Sequence, residues 1–318
     1  MNKTELLDLS VVLPIYNEEE NVEPLCEELS EVLNGLNKSY EIIFVDDGSK
    51  DKTVELLIEF KKKNDNIKII RFRRNFGQTA AMSAGFDHAR GSTIVTMDAD
   101  RQNDPHDIPK LLEKIENGYD LVSGWRHARK DAFIARKLPS IIANKIISYT
   151  TDVNLHDYGC TLKAFRSEVV KNIALYGEMH RFIPAIASWM GVTIAEVKVN
   201  HRPRVAGSSK YGISRTIRVV LDLVTVKFLL SYSARPLQFF GLIGIPCGVV
   251  GFGIAIYLTI QRLFFDTPLS DRPLLLLAVL LIFTGLQFVM FGLLGELQTR
   301  TYHETQSKPI YVIREILE

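Results

Sequence analysis

The chain has 318 residues, of which 24% are charged, and its net charge is +1. The length allows one large domain or two smaller ones, and the balanced charge excludes the basic field typical of nucleic-acid binders, so we expect no nucleic-acid partner. The cysteines Cys26, Cys160 and Cys247 are far apart and lack metal-ligand spacing, which fits a reducing compartment without disulfides. The N-terminal "MNKTELLDLS" has no apolar segment, and we expect no cleavable signal peptide.

Short β-rich runs alternate with helical patterns over the first part of the chain. The predicted strands are "LSVVLPIYN", which ends at Pro14, then "YEIIFVDDGS", "IKIIRFRRN", "STIVTMDAD" and "YDLVSGWR". The predicted helices are Val22–Leu36, "KTVELLIEFKKK", Thr79–Ala89 and "IPKLLEKIENG". This alternation predicts an α/β fold with a mainly parallel, Rossmann-like sheet and helices on both faces. In such sheets ligands bind at the carboxyl ends of the strands.

Acidic side chains collect at three of those strand ends. They are Glu18 after the first strand, Asp46 and Asp47 after the second, and Asp98 and Asp100 after the fourth. A turn explains any one of these residues, but crowded carboxylates are costly unless cations or hydrogen-bond donors offset them. The set therefore favours a cation site over a group of unrelated turns.

A dinucleotide fold would need a glycine-rich turn after the first strand, but that turn reads "PIYNEEEN". A divalent cation is the alternative means of holding a pyrophosphate. Side chains alternate along an extended backbone, which puts Asp98 and Asp100 on one side, with Gln102 continuing the alternation. Their oxygen atoms suit Mg²⁺ or Mn²⁺, whereas Asn103, Asp104 and Pro105 are expected to turn the chain.

Four motifs carry a resemblance to a known family. The runs "VVLPIYNEEENV", "FVDDGSKDKT", "NFGQTAAMSAGFDHARG" and "TMDADRQNDP" resemble the GT-A glycosyltransferases of family 2, and within it the polyprenyl-phosphate sugar transferases of the dolichyl-phosphate mannose synthase type. The later "DYGCTLKAFR", "GEMHRFIPAIA" and "HRPRVAGSSKY" look closer still to bacterial undecaprenyl-phosphate glucosyltransferases. The resemblance covers nearly the whole chain.

The resemblance implies a GT-A catalytic domain and a set of donor-binding residues. The residues that it assigns to the nucleotide-sugar are Pro14, Tyr16, Asn17, Glu18, Asp46, Asp47, Asp98, Ala99, Asp100 and Gln102. Of these, Asp98, Asp100 and Gln102 are assigned to the metal. Arg101 stands where the family has an apolar residue, and we expect it to point away from the metal, towards solvent or a partner chain.

The implied reaction is a single inverting transfer of a sugar to a polyprenyl phosphate, for modification of cell-envelope glycans. The resemblance assigns Asp157 as general base, but a phosphate monoester has a second pKa of about 6. Asp157 is therefore expected to orient the acceptor or sugar, and the alternative is a turn aspartate before Gly159. Candidate partners of the acceptor phosphate are Arg126, Arg136, Ser140, Arg202 and Lys210. Arg202, Arg204 and Lys210 are also candidate contacts of a loop that closes over the diphosphate. The alternatives are a solvated helix face for Arg136 and a membrane-attracted basic segment for residues 201–212.

The last third of the chain is apolar. Residues 236–261 are 26 residues without a charge and residues 273–295 are 23 more, each long enough to span a membrane as a helix. A buried helix pair in a soluble core is the alternative. Basic residues before the first segment and after the second place both termini in the cytoplasm by the positive-inside rule. The pattern predicts a multi-pass protein of the plasma (inner) membrane.

We divide the chain into a catalytic domain over residues 1–212, an amphipathic interfacial helix over 213–234 and a membrane domain over 235–318 that ends in a cytoplasmic tail. Gly241, Gly244 and Gly248 suit helix packing and a homo-oligomer. UDP-glucose is the expected donor; a UDP-4-amino-4-deoxyarabinose derivative, UDP-N-acetylglucosamine and GDP-mannose remain open. A processive polysaccharide synthase and a non-enzymatic membrane scaffold are the other functional classes. The synthase motif Gln-x-x-Arg-Trp is absent from the sequence.

Overall fold

The protein is described from a computed structural model. It describes residues 7–127, 153, 155–173, 175, 179–203, 236–265, 268, 273–305 and 310–318. The predicted helix over 213–234 and the candidate residues Arg136, Ser140, Arg204 and Lys210 lie outside these ranges. The chain forms two compact units, Met1–Val226 with Pro309–Glu318, and Lys227–Lys308.

The first unit contains a sheet of eight strands. They are β1 Leu7–Ile15, β2 Tyr40–Asp46, β3 Ile67–Phe72, β4 Gly91–Thr96, β5 Leu121–Trp125, β6 Lys163–Arg166, β7 Ile194–Lys198 and β8 Ile313–Leu317. Its helices are α1 Glu19–Asn34, α2 Thr53–Lys61, α3 Gln78–His88, α4 Ile108–Glu116, α5 Ser167–Lys171 and α6 Ile183–Ser188. The five strands and four helices predicted from the sequence are all present.

The strand order is β7-β5-β6-β4-β1-β2-β3-β8. The pairs β1–β2, β1–β4, β2–β3 and β5–β7 are parallel, as the alternation of strands and helices predicts. The strand β6 runs antiparallel between β4 and β5, and β8 runs antiparallel along β3. The parallel arrangement brings the ends of β1, β2 and β4, with their acidic residues, to one edge.

Each face of the sheet is covered by helices. On one face Val11 and Leu13 of β1 share a buried cluster with Leu25 and Leu29 of α1. On the other, Val12 shares a cluster with the alanines of α3. A Cβ added at Gly85 of α3 would lie 2.2 Å from Val12 Cγ1, so only glycine allows this close approach. The two packed faces fix the positions of the loops at the carboxyl edge.

The described part of the second unit consists of a pair of long helices, α7 Pro236–Phe265 and α8 Pro273–Thr305. Their segments Phe240–Phe265 and Pro273–Gly295, with mean hydropathy 2.0 and 2.6, are long and apolar enough to cross a membrane, and most of their side chains are exposed. Their backbones approach closely: a Cβ on Gly285 would lie 2.6 Å from Gly244 O and 2.7 Å from Gly248 N. Gly244 and Gly248, predicted to serve oligomerisation, thus pack within the pair.

Candidate active site

The loops after β1 and β2 are tied together by hydrogen bonds. Asn17 has a left-handed backbone (φ 52°); its N–H donates to Ser49 Oγ (2.9 Å), and its Oδ1 accepts from the N–H of Lys50 (2.8 Å). The N–H of Glu18 donates to Thr53 Oγ1 (2.9 Å), at the first residue of α2. These contacts hold the predicted nucleotide-binding residues of the first strand end against those of the second.

Asp46 is buried at the end of β2, opposite Ile15, while Pro14 pairs with Val45. Its Oδ1 accepts from the N–H of Ser49 (3.0 Å), whereas its buried Oδ2 has no hydrogen-bond partner among the described residues. Burial raises the pKa of this carboxyl group. An unpaired buried acceptor is costly, which suits a residue that receives an N–H group from a ligand.

The neighbouring Asp47 has a different role in the fold. Its two carboxylate oxygens accept from the N–H groups of Phe76 (2.6 Å) and Gly77 (2.9 Å), immediately before α3. Gly77 has a φ of 96°, which a side chain would strain. Asp47 therefore holds the turn that starts α3, so both of its oxygens are already engaged.

The candidate metal-binding loop begins beyond the end of β4. That strand stops at Thr96, and Arg101 has a φ of 58°, so the extended alternation used to place Gln102 beside Asp98 and Asp100 does not reach it. Instead the N–H of Gln102 donates to Asp100 Oδ1 (3.1 Å) in a local turn. Arg101 is half-buried, and its Nε is buried without a hydrogen-bond partner among the described residues.

Both carboxylate oxygens of Asp98 are held by side chains that the sequence did not single out. Gln78 Nε2 donates to Oδ1 (2.7 Å) and Thr161 Oγ1 donates to Oδ2 (2.8 Å). Burial, and next the nearby charge of Asp100, raise the pKa of Asp98 to about 6. A divalent cation bound between Asp98 and Asp100 would remove the repulsion between their two carboxylates. The donor set therefore fits Mg²⁺ or Mn²⁺. Ala99 between the two aspartates is buried.

The predicted catalytic residue and the predicted acceptor residue form one ion pair. Arg126 donates from Nε to Asp157 Oδ2 (2.6 Å) and from Nη2 to Oδ1 (2.9 Å), and both side chains are largely buried. Although burial opposes it, the hydrogen bonds and charge of Asp157 raise the pKa of Arg126. In this bidentate geometry Asp157 is an oriented anion beside a fixed cation.

The loop that carries Asp157 is held by two further residues that the sequence did not single out. Glu196 of β7 accepts from the N–H groups of His156 (2.9 Å) and Asp157 (3.1 Å). The buried ammonium of Lys163 donates to the carbonyl oxygens of Tyr158 and Cys160, and burial lowers its pKa. Since Thr161 of the same segment bonds Asp98, the structure brings the metal-binding loop and the Asp157 loop together.

Arg202 lies in an ion-pair network that contacts the metal-binding loop. Its guanidinium contacts Glu28 Oε1 (2.6 Å) and Asp104 Oδ1 (2.6 Å), and its N–H donates to Gln102 O (2.9 Å). Glu28, Asp104 and His106 are close enough to hold a metal ion, but Arg202 already offsets their charge. Burial opposes ionisation of Asp104, yet hydrogen bonds led by Asn200 hold its pKa down to about 2. The network anchors residues 200–202 to the metal-binding loop.

Comparisons with known proteins give a family and a fold. Residues 10–174 match the family described as Glycosyl transferase family 2. The chain is 44% identical to a dodecaprenyl-phosphate galacturonate synthase of Rhizobium johnstonii, over 98% of this chain and 94% of that protein.

Solved structures with the same fold are more distant in sequence. Glucosyl-3-phosphoglycerate synthase of Mycobacterium tuberculosis, in complex with Mn²⁺, uridine diphosphate and phosphoglyceric acid, gives a TM-score of 0.56 at 17% identity, covering 70% of this chain and 78% of that one. Mannosyl-3-phosphoglycerate synthase of Rubrobacter xylanophilus gives 0.56 at 16% identity, covering 70% and 74%. At this identity the likeness shows a shared GT-A fold.

Proposed function

The chain belongs to glycosyl transferase family 2, and from that membership we propose that it transfers one sugar from a nucleotide-sugar to a polyprenyl phosphate, with inversion. The observation that carries the proposal is the meeting of the Asp98–Asp100 loop with the Arg126–Asp157 pair through Thr161. One loop suits a metal-bound diphosphate, and the other offers a cation and an anion to an incoming phosphate and sugar. The relative's name adds the acceptor class, because that protein is a polyprenyl-phosphate enzyme.

The donor would lie along the carboxyl edge from β2 to β4. Asp46 offers a carboxylate oxygen to a base N–H, while Asp98 and Asp100, with Gln102 as a further candidate, would hold Mg²⁺ or Mn²⁺. When bound, such a cation supplies charge that stabilises the departing nucleoside diphosphate. Gln78 and Thr161 keep the carboxylate of Asp98 in a fixed orientation for that task.

The acceptor phosphate oxygen would attack the anomeric carbon as the bond to the nucleoside diphosphate breaks. The nucleoside diphosphate leaves with the electron pair, and one sugar–phosphate bond replaces another. The second pKa of a phosphate monoester is about 6, so at neutral pH the acceptor is mostly a dianion and no proton has to be removed from it. We therefore assign Arg126 to the acceptor phosphate and Asp157 to orientation, with Arg136, Ser140 and Lys210 as further acceptor candidates from the sequence.

The identity of the sugar is the most specific part of the proposal. The sequence favoured UDP-glucose, whereas the relative at 44% identity is a galacturonate synthase. We accordingly place a nucleotide-linked galacturonate first and UDP-glucose second. The two helices of the second unit, and the basic residues that flank them, support a location in the plasma (inner) membrane with the catalytic domain in the cytoplasm.

The test is incubation of the purified full chain with undecaprenyl or dodecaprenyl phosphate, Mn²⁺ or Mg²⁺, and single nucleotide-sugars. The panel contains UDP-galacturonate, UDP-glucose, UDP-N-acetylglucosamine, a UDP-4-amino-4-deoxyarabinose derivative and GDP-mannose, and the lipid product is read by mass. We expect one added sugar with one donor and none with the Asp100→Asn variant. A ladder of masses would indicate a processive synthase, and product formation unchanged by Asp100→Asn would overturn the metal-dependent transfer.

A further inference from the structure

The C-terminal strand β8 lies in the same sheet as the candidate donor site, although two long apolar helices separate it from β7 in the sequence. It pairs antiparallel with β3, with Arg71 opposite Glu315 and Phe72 opposite Ile313. One step along β3 thus corresponds to two along β8, so Arg314 is the extra residue of a bulge. Bulges commonly redirect a side chain next to a functional site.

Arg314 lines a cavity of about 450 Å³ at the carboxyl edge of the sheet. The cavity is also lined by Tyr16 and Ser49, on the loops that carry the predicted nucleotide-binding residues. Among the residues that the structure describes, its charged lining residues are all basic: Lys50, Arg71, Arg73, Arg74 and Arg314. A cavity of this charge suits the oxygen-rich, anionic part of a nucleotide.

Glu315, the next residue of β8, does not line the cavity but contacts Arg71, which does. Glu315 Oε1 accepts from Arg71 Nη1 (2.8 Å), and Arg71 Nε lies 3.8 Å from Asp46 Oδ2. At that distance Arg71 offsets the buried charge of Asp46 without a hydrogen bond to the oxygen that lacks a partner. Glu315 thereby holds Arg71 in place while the Oδ2 atom of Asp46 stays available to a ligand.

Contacts on either side of β8 also attach it to the sheet, and one of them, the ion pair between Lys68 and Glu318, involves no residue that lines the cavity. Lys68 pairs with Glu318 (2.5 Å), and Tyr311 stacks on Phe72 and donates to Asp87 Oδ2 (2.7 Å). The ion pair of Lys68 with Glu318, the residue that follows β8, attaches this segment to β3 as the ion pair with Arg71 does, but neither Lys68 nor Glu318 lines the cavity. This gives a matched control for the effect of strand attachment alone.

We propose that β8 forms one wall of the donor-nucleotide pocket, where Arg314 binds an oxygen of the nucleotide and Glu315 is a positioning residue that acts through Arg71 on Asp46. The proposal rests on the donor-binding half of the proposed function, since it needs a nucleotide-sugar in this cavity, and it does not depend on the acceptor. The segment that follows the two apolar helices then completes the donor site.

The experiment titrates UDP, and separately GDP, with Mn²⁺ into the full chain in detergent by calorimetry, and measures donor KM and kcat with the active nucleotide-sugar. Loss of one charge-assisted hydrogen bond in Arg314→Ala should weaken nucleotide binding about tenfold and raise donor KM with kcat unchanged. Glu315→Gln should raise donor KM about threefold to tenfold, and Glu315→Asp should recover part of it. Glu318→Gln, which removes only the outer ion pair, should leave KM within about twofold.

The outcomes separate the two proposals. Equal KM increases in Glu315→Gln and Glu318→Gln would mean that β8 acts only through attachment, and an unchanged nucleotide affinity in Arg314→Ala would remove Arg314 from the pocket; either result overturns the inference. If the wild-type chain binds UDP or GDP through Arg314 but transfers no sugar to any polyprenyl phosphate, the proposed function fails and the inference stands.

Discussion

The ion pair between Arg126 and Asp157 bears on the roles that we propose for these two residues at the acceptor phosphate. Both carboxylate oxygens of Asp157 accept from one guanidinium, which fixes the carboxylate in orientation. Gly159 lies directly over this pair, since an added Cβ would be 3.4 Å from Arg126 Nη2 and 3.5 Å from Asp157 Oδ1. The geometry is that of two groups fixed in orientation, which agrees with the roles that we propose for them at the acceptor phosphate.

This assignment predicts a particular pH profile for Asp157→Asn. We expect kcat to fall about 100-fold, because the variant loses the oriented anion and frees Arg126. The acidic limb of the profile should remain near pH ~6 in the variant, since it reports ionisation of the acceptor phosphate. The measurement is kcat against pH for wild type and variant with saturating substrates. Disappearance of the acidic limb in Asp157→Asn would restore a general-base role.

The acidic residues of the site were predictable from the sequence, whereas the residues that hold them were not. Asp46, Asp98 and Asp100 follow apolar strands, a pattern visible in single runs of the sequence. Gln78 and Thr161 meet at Asp98 from positions 20 and 63 residues away, so only the folded sheet brings them together. The same holds for Lys163 and Glu196, which carry charges that would suggest surface positions.

At the level of elements, the strands that were predicted are those with apolar runs on both faces. The central strand β1 is buried over most of its length, and its run "VVLPI" is typical of a parallel strand. The strands β6, β7 and β8 have only four or five residues, with charged residues among them, so none of the three gives a clear period-two pattern. Each was missed for that reason, and each contributes side chains near the candidate site.

The helix pair of the second unit offers a test at the same scale. Gly285→Leu should destabilise the pair by about 1–3 kcal/mol, because its side chain would meet the backbone of Gly244 and Gly248 at less than 3 Å. Gly253→Leu is the matched control, since an added Cβ there meets no heavy atom within 4 Å. Thermal unfolding in detergent micelles, followed by size-exclusion chromatography, measures both. Equal loss of stability in the two variants would contradict the packing described.

At the scale of the whole molecule, β8 constrains the membrane topology. It pairs with β3 in a sheet that also contains β1, so the segments before and after the two apolar helices lie on the same side of any membrane. The number of crossings between them is therefore even, which two spanning helices satisfy and a single one does not. The flanking Arg215, Arg300 and Lys308 favour the cytoplasm for that side.

Reporter fusions test this arrangement directly. A fluorescent protein fused after Glu318 should be bright in the cytoplasm, and an alkaline phosphatase at the same point should be inactive. The phosphatase inserted in the short loop between the two apolar helices, after Ser270, should be active, because two crossings place that loop opposite β8. Activity after Glu318 would contradict the cytoplasmic orientation, and activity at neither position would contradict the two crossings. With both results as expected, the strand that we propose to complete the donor pocket lies on the side of the membrane where nucleotide-sugars are made.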